Sequence, residues 1–201
     1  MTHRAVHRYF LVFAMQAALV GGTAAGQHPA GTGASPETRA ADLVSDAGFE
    51  SLSPGRLDTG TLEGGWEVQR QGRQAILDRL EVECVAEPTT SKSGHQHVRL
   101  GLPQDTVGFE YVTVGQRLRL EPSTEYEASV WVRWAEGPAQ RPADASSVSG
   151  HPSAIVSFWA RHREATGDFA GRDVWLFDNQ WHRLVFRFRA TDPEQRTLVY
   201  V

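Results

Sequence analysis

The sequence predicts an all-β protein with the fold of a β-sandwich or a jelly roll. Short runs in which apolar and polar residues alternate recur along the chain, and Gly, Pro, Asp and Ser separate them. Alternation of this kind is typical of strands that bury one face, because successive side chains of a strand point to opposite faces. Several such strands at short spacing are typical of sandwiches and jelly rolls.

Eight runs are predicted to be strands, and only "RQAILDRLEVE" also has a helical pattern. The Val-Glu-Cys-Val end of that region favours a strand. The eight runs are GGWEVQR (64–70), AILDRLEVECV (75–85), HQHVRLGL (95–102), EYVTVGQRLRL (110–120), YEASVWVRWA (126–135), SAIVSFWARHR (153–163), WHRLVFRFRA (181–190) and RTLVYV (196–201).

Residues 1–25 have the pattern of a signal peptide. The first eight residues carry Arg4 and Arg8 and no acid, the run "YFLVFAMQAALV" is apolar except for Gln16, and "TAA" supplies small residues for cleavage near Ala25. We therefore expect the protein to be secreted, or to lie in the periplasm or cell envelope. Contact with a membrane is expected only if this leader stays uncleaved.

Residues 26–41 are predicted to be a flexible linker, and residues 42–201 the folded domain. The linker contains Gly, Pro, Ala, Ser and Thr but no large apolar side chain. Such a segment cannot bury enough surface to offset the entropy lost on ordering.

Charge and cysteine content narrow the possible functions. The net charge is −4, and it falls to −6 without the leader, which holds two Arg and no acid. A mildly acidic protein is a poor partner for nucleic acid, because phosphate binding needs a basic surface. Cys84 is the only cysteine, so the domain has no internal disulfide framework, and we expect Cys84 to be a small core residue.

Alternation also predicts which residues lie outside the core. Two strands are each expected to bury one set of residues: Tyr126, Ala128, Val130, Val132 and Trp134 in the first, and Val156, Phe158 and Ala160 in the second. Phe186 is expected in the core of a third strand, opposite Arg183, Arg187 and Arg189. Each of the first two strands then has a Trp beside an Arg on its other face, and these four residues are Trp131, Arg133, Trp159 and Arg161.

These four residues are the candidate ligand site. An exposed aromatic surface usually marks a contact site. Sugars offer a flat C–H face to an indole ring and hydroxyl groups to Arg. The alternative is that Trp131 and Trp159 lie under a loop or in a neighbouring core layer. Trp66, Trp175 and Trp181, which begin or end strands, are expected to be structural.

An ordered series of short motifs resembles a known family. The pieces are "LVSDAGFE", "GGWEVQ", "SKSGHQHVRL", "LRLEPSTEYEASVWVRW" and "WHRLVFRF". Together they are similar to the CenC-type carbohydrate-binding modules of families 4 and 9, which are galactose-binding-like jelly rolls, across residues 42–201. The chain departs from the family at Asp46-Ala47, in the long loop after Trp134 and at its end, where we expect the family's last strand to be lacking.

The resemblance implies a structural calcium ion. In many such modules the Glu of Gly-Phe-Glu and nearby carbonyl groups bind calcium, while the Phe fills the core. Carried over, the implied ligands are the Gly48 carbonyl, Glu50 and a carbonyl of the TTSKSG turn, that of Lys92, with Phe49 buried. The alternative for Glu50 is an exposed acid in a turn.

The resemblance and the Trp–Arg pairs predict a secreted, non-catalytic module that binds polysaccharide, either on its own or as the front of a longer glycan-degrading protein. We find no catalytic motif, and His95 and His97 lack an acidic or cysteine partner at zinc-site spacing. Two alternatives stay open because jelly rolls host many functions. One is an extracellular adhesion or structural domain that binds protein, and the other is a jelly-roll glycosidase or lyase.

Overall fold

The computed structural model describes residues 8–14, 46, 48–88, 91–92, 94–103, 110–121, 123–145, 153–161, 169–190 and 197–200. Side chains are described in these ranges except for residues 8–14, 161, 169–170 and 197–200. The predicted linker, 26–41, and most of the predicted leader lie outside the described residues. No helix within the described ranges is long and apolar enough to cross a membrane.

The described chain is built of strands, as the alternation predicts. The strands are β1 (Arg8–Ala14), β2 (Gly55–Arg56), β3 (Gly60–Thr61), β4 (Trp66–Gln71), β5 (Glu81–Val85), β6 (His97–Pro103), β7 (Tyr111–Leu118), β8 (Glu125–Trp134), β9 (Ala154–Arg161), β10 (Phe169–Leu176), β11 (His182–Arg189) and β12 (Thr197–Tyr200). A 3-10 turn, Glu63–Gly65, precedes β4, and a single helical turn, α1 (Gln74–Leu77), precedes β5.

The strands form two antiparallel sheets of six strands each. Sheet I has the order β11-β8-β1-β6-β5-β2, and sheet II has the order β10-β9-β12-β7-β4-β3. The fold is therefore all-β and sandwich-like, with the core between the two sheets.

The core joins the sheets through aromatic contacts. The ring centroids of Phe158 on β9 and Phe186 on β11 lie 4.7 Å apart in an edge-on arrangement. Both side chains are buried, as are Trp134 and Cys84, so the predicted core positions of these four residues are confirmed.

The segment before β2 anchors the chain to the core through Phe49. Its side chain is fully buried and its ring centroid lies 4.3 Å from that of Trp66. The indole Nε1 of Trp66 donates to the carbonyl of Asp46 at 3.2 Å, and the Phe49 N–H donates to the same carbonyl at 2.9 Å. The expected core role of Phe49 is therefore confirmed, and the structural role of Trp66 follows from the same contacts.

Three features differ from the sequence prediction. The run AILDRLEVECV begins as the helical turn α1 and becomes a strand only at Glu81, so both competing patterns are present in succession. Strand β10 was not predicted, because Gly171, Arg172 and Asp173 interrupt its apolar pattern. Strand β1 lies inside the predicted leader and occupies an interior position of sheet I.

Candidate functional site

The four predicted ligand residues do not share one face. Trp131 and Arg133 lie on β8 in sheet I, whereas Trp159 and Arg161 lie on β9 in sheet II. Because the inner faces of the two sheets meet at Phe158 and Phe186, the outer faces point in opposite directions. The single binding face expected from the sequence is therefore wrong: alternation tells the core face of a strand from its outer face but not which sheet the strand joins.

The sheet I pair lies against other parts of the protein. The ammonium group of Lys92 lies 4.2 Å from the centroid of the Trp131 ring, and the guanidinium carbon of Arg133 lies 5.2 Å from that of Trp181. The Ser91 hydroxyl hydrogen-bonds Nδ1 of the buried His97 at 3.1 Å. The loop before β6 thus lies over this face, which is the alternative that we left open for Trp131.

The Arg side chains of β11 also have partners within the protein. Arg183 donates to the hydroxyl of Ser129 at 3.2 Å, and Arg187 donates to a carboxylate oxygen of Glu127 from Nε and from Nη2, each at 3.1 Å. Arg189 donates to the carbonyl of Ser123 at 3.0 Å. These hydrogen bonds use part of the donor capacity of the three Arg side chains, so less of it is left for a ligand on sheet I.

Trp159 is held in place on the outer face of sheet II. Its Nε1 donates to Oδ1 of Asp173 on the neighbouring strand β10 at 3.0 Å. Gly171 lies directly opposite Trp159, and a Cβ at that glycine would lie 2.6 Å from both Cγ of Trp159 and the carbonyl oxygen of Phe158. The absence of a side chain at Gly171 therefore lets the indole lie across the backbone of β10. The side chain of Arg161 lies outside the described part of the structure.

The same face carries exposed apolar side chains. The large apolar residues that are exposed in the described chain are Ile155 at 51%, Trp175 at 44% and Tyr111 at 42%, on strands β9, β10 and β7 of sheet II. Alternation from the buried Val156 and Leu176 places Ile155 and Trp175 on the outer face, and their Cα atoms are paired across the two strands. Tyr111 lies by the same alternation on that face, where its hydroxyl donates to Gln71.

Five residues on the outer face of strands β9 and β10 lie side by side, and we call them the β9–β10 strip. Along β9 and β10 the opposed pairs are Ile155 with Trp175, Ser157 with Asp173, and Trp159 with Gly171. Trp159 lies four positions after Ile155, which corresponds to about 13 Å along the strand. The strip, defined as Ile155, Ser157, Trp159, Asp173 and Trp175, thus has an aromatic ring at each end and a carboxylate between them.

Sequence reasoning found Trp159 but missed the β10 half of the strip. Trp175 was expected to be structural, and that prediction is wrong because the side chain is 44% exposed. A signal was present: Val174 and Leu176 are apolar at alternate positions, which places Trp175 and Asp173 on the opposite face. It was missed because the pattern covers too few residues to identify β10 as a strand.

The predicted calcium ligand Glu50 contacts the loop before β6. Its Oε1 accepts hydrogen bonds from the backbone N–H groups of His95, at 2.5 Å, and Gln96, at 3.2 Å. Gly94 permits this approach, because its φ is +69° and a Cβ there would collide with Oε1 of Glu50. Gly48 lies beside Glu50 in the same turn, with its Cβ position 3.3 Å from Cγ of Glu50.

These contacts fit the calcium prediction only in part. Calcium takes several oxygen ligands, and N–H donors directed at Oε1 of Glu50 are unfavourable neighbours for a cation. Within the described ranges, no group of three or more His, Cys, Asp or Glu side chains is placed to hold a metal ion. Glu50 does contact the loop that contains Lys92, through the backbone of His95 and Gln96. Calcium binding stays a prediction, and the hydrogen bonds alone explain how Glu50 ties the turn to the loop.

Burial changes the titration of two residues near this loop. It raises the pKa of the Cys84 thiol to about 11, with the carboxylates of Asp46, Glu50 and Glu83 acting in the same direction. The thiol donates to Oε1 of Gln96 at 2.7 Å. Burial also lowers the pKa of His97 below its usual 6.5. Both groups are therefore uncharged at neutral pH.

Comparisons with known proteins give no relative for this chain. No family model matches it, and the searches of curated proteins and of solved structures also found no match. The resemblance to CenC-type modules therefore stays a prediction from sequence motifs.

Proposed function

We propose that the protein is a secreted, non-catalytic polysaccharide-binding module with a jelly-roll fold, and that the glycan lies along the β9–β10 strip. One observation carries the proposal: Trp175 is exposed on the same outer face on which Trp159 is held by Asp173 and Gly171. A large apolar surface left exposed on a rigid sheet usually marks a contact site.

The chemistry of the strip suits a sugar chain. Indole rings stack on the apolar C–H faces of pyranose rings, and rings that are fixed before binding lose little conformational entropy on contact. The Asp173 carboxylate and the Ser157 hydroxyl lie between the two Trp positions and supply acceptors for sugar hydroxyl groups.

The charge of the strip favours a neutral glycan such as β-glucan or xylan. Asp173 is exposed at the centre of the strip and repels uronate or sulfate groups. The Arg side chains of β11 add no positive charge to this face, because they lie on sheet I and bond to the protein.

The strip carries binding groups but not the groups for hydrolysis. Glycosidases position two carboxyl groups on either side of the bond that they cleave, at separations of about 5–10 Å. Asp173 is the one carboxylate of the strip, and its Oδ1 accepts the indole N–H of Trp159. We therefore propose binding without catalysis.

A protein-binding adhesion domain is the second candidate, and Ile155 is the observation that favours it. Its aliphatic side chain is 51% exposed beside Trp175, and it extends the apolar surface of the strip but has no flat ring to stack on a sugar. Ile155→Ser separates the two functions, because it should weaken a protein contact strongly and a stacked glycan only slightly.

Native affinity electrophoresis tests the proposal. The gels contain β-glucan, xylan or polygalacturonate. We expect a gel with a neutral glycan, β-glucan or xylan, to retard the wild-type protein. Trp159→Ala and Trp175→Ala should each weaken that binding about tenfold or more, which is the loss typical of a central contact residue. Trp131→Ala is the matched control and should bind as wild type does. Loss of binding in Trp131→Ala alone would place the site on sheet I instead.

A further inference from the structure

One strand of sheet I, β1, comes from the predicted leader, residues 1–25, and not from the predicted domain, residues 42–201. Strand β1, Arg8–Ala14, lies between β6 and β8 and is antiparallel to both. The strands β6 and β8 are therefore parallel to each other. Val12 lies opposite Arg99 on one side and Arg133 on the other.

The register places apolar positions of β1 level with the core. Leu11 is opposite Leu100 and Trp134, and Phe13 is opposite Val98 and Val132. All four of these partners are buried. The space between β6 and β8 thus lies beside the core, so a chain that fills it must be extended and apolar.

The position of β1 in the sequence makes this arrangement unusual. Arg8–Ala14 falls inside the predicted signal peptide, and cleavage near Ala25 would separate it from the rest of the chain. Neighbouring strands lie about 4.8 Å apart, so β6 and β8 would stand about 10 Å from each other without β1, too far to form hydrogen bonds. The inner edge of each strand would then present unpaired N–H and C=O groups, which are costly next to a core.

We propose that the facing edges of β6 and β8 form an acceptor slot for one extended apolar strand, and that Arg8–Ala14 of the chain itself is its occupant. Main-chain hydrogen bonds on both sides hold the strand, as in other cases of β-strand addition. Cutting the chain between Ala14 and the domain does not break these contacts. When the chain folds before it is cut, the leader strand therefore stays bound after cleavage, and its removal opens the slot to a peptide of the same sequence.

The test uses the full chain, produced without export so that the leader is intact. A recognition site for a specific protease is placed in residues 26–41, and the folded protein is cut there. The leader fragment should co-elute with the domain in size-exclusion chromatography. Amide hydrogens of Val98–Leu102 and Trp131–Trp134 that face β1 should keep the slow exchange with solvent that they show in the uncut chain.

Removal of the fragment gives the decisive comparison. After the cut protein is denatured, freed of the fragment and refolded, exchange in these two segments should be at least about tenfold faster, or the protein should fail to refold. A synthetic peptide of residues 8–14, but not a scrambled peptide, should restore slow exchange. A fragment that separates at once, with no change in exchange in either segment, would overturn the proposal.

A proline variant tests the same contacts in the uncut chain. Val12→Pro places a residue without an N–H in the middle of β1, where a central strand does not tolerate it. Ala34→Pro, in the predicted linker, is the matched control. Val12→Pro should speed exchange in β6 and β8 or prevent folding, and Ala34→Pro should do neither. Identical exchange in the two variants would show that β1 does not fill the slot.

Discussion

The packing of the two sheets against each other predicts that Phe158→Ala strongly lowers the free energy of unfolding. Phe158 is fully buried on β9, and its ring meets that of Phe186 across the sandwich at 4.7 Å. Truncation of a buried Phe to Ala costs about 3–5 kcal/mol, because the transfer free energy is lost and a cavity stays behind. In a domain of this size the melting temperature should then fall by about 6–20 °C.

Urea unfolding of Phe158→Ala and of a control variant measures the loss of stability directly. Phe158→Ala should lower the midpoint while leaving the dependence of the unfolding free energy on urea unchanged. Ser157→Ala is the matched control, since Ser157 is the exposed neighbour on the outer face and its loss should change the free energy by about 0.5 kcal/mol at most. A loss below about 1 kcal/mol for Phe158→Ala would refute the packing of the sheets through this pair.

Three further predictions concern the loop before β6. The buried Cys84 thiol, with its pKa raised to about 11, should react with a thiol reagent only on unfolding, and labelling of the native protein at the rate of an exposed cysteine would contradict this. Because the pKa of His97 is lower in the folded state, the unfolded state binds a proton first, so the free energy of unfolding should fall as the pH drops below about 6.5. His97→Gln should remove that part of the pH dependence in denaturant titrations, whereas His95→Gln, at an exposed position, should keep it; matching profiles for the two variants would disprove the assignment. Calcium should raise the melting temperature and a chelator should lower it, with no response in Glu50→Gln, while equal melting in both buffers would mean that Glu50 acts only through its hydrogen bonds to the loop.

The all-β fold was predictable because alternation is a local property. Strands such as β8 and β9 bury every second residue, and their core sides follow directly from the sequence. The core position of Phe49 was predictable because its Gly-Phe-Glu motif resembles that of CenC-type modules. These features depend on neighbours within a few residues along the chain.

The grouping of residues into one site was not predictable, because it depends on strand order. Trp131 and Trp159 have the same relation to the core of their own strands, yet β8 joins sheet I and β9 joins sheet II. The partnership of Trp159 with Asp173 needs the pairing of β9 with β10, which lie on either side of residues 162–168. Nothing in either strand alone specifies that pairing.

The contribution of Arg8–Ala14 to sheet I illustrates the same limit. An apolar run after two Arg residues predicts a signal peptide, and the same apolar run also suits an interior strand. The run itself does not distinguish the two, because its pairing involves β6 and β8, which are distant from it in the chain.

The indole N–H signals of the Trp residues in a ¹⁵N NMR spectrum show whether the glycan lies on the outer face of sheet II, as we claim. Each signal is assigned with a Trp→Phe variant and followed while a neutral oligosaccharide is added. We predict that the signals of Trp159 and Trp175 shift with a common binding curve, whereas those of Trp131 and Trp181 stay in place. Shifts confined to Trp131 and Trp181 would contradict the claim and move the site to sheet I.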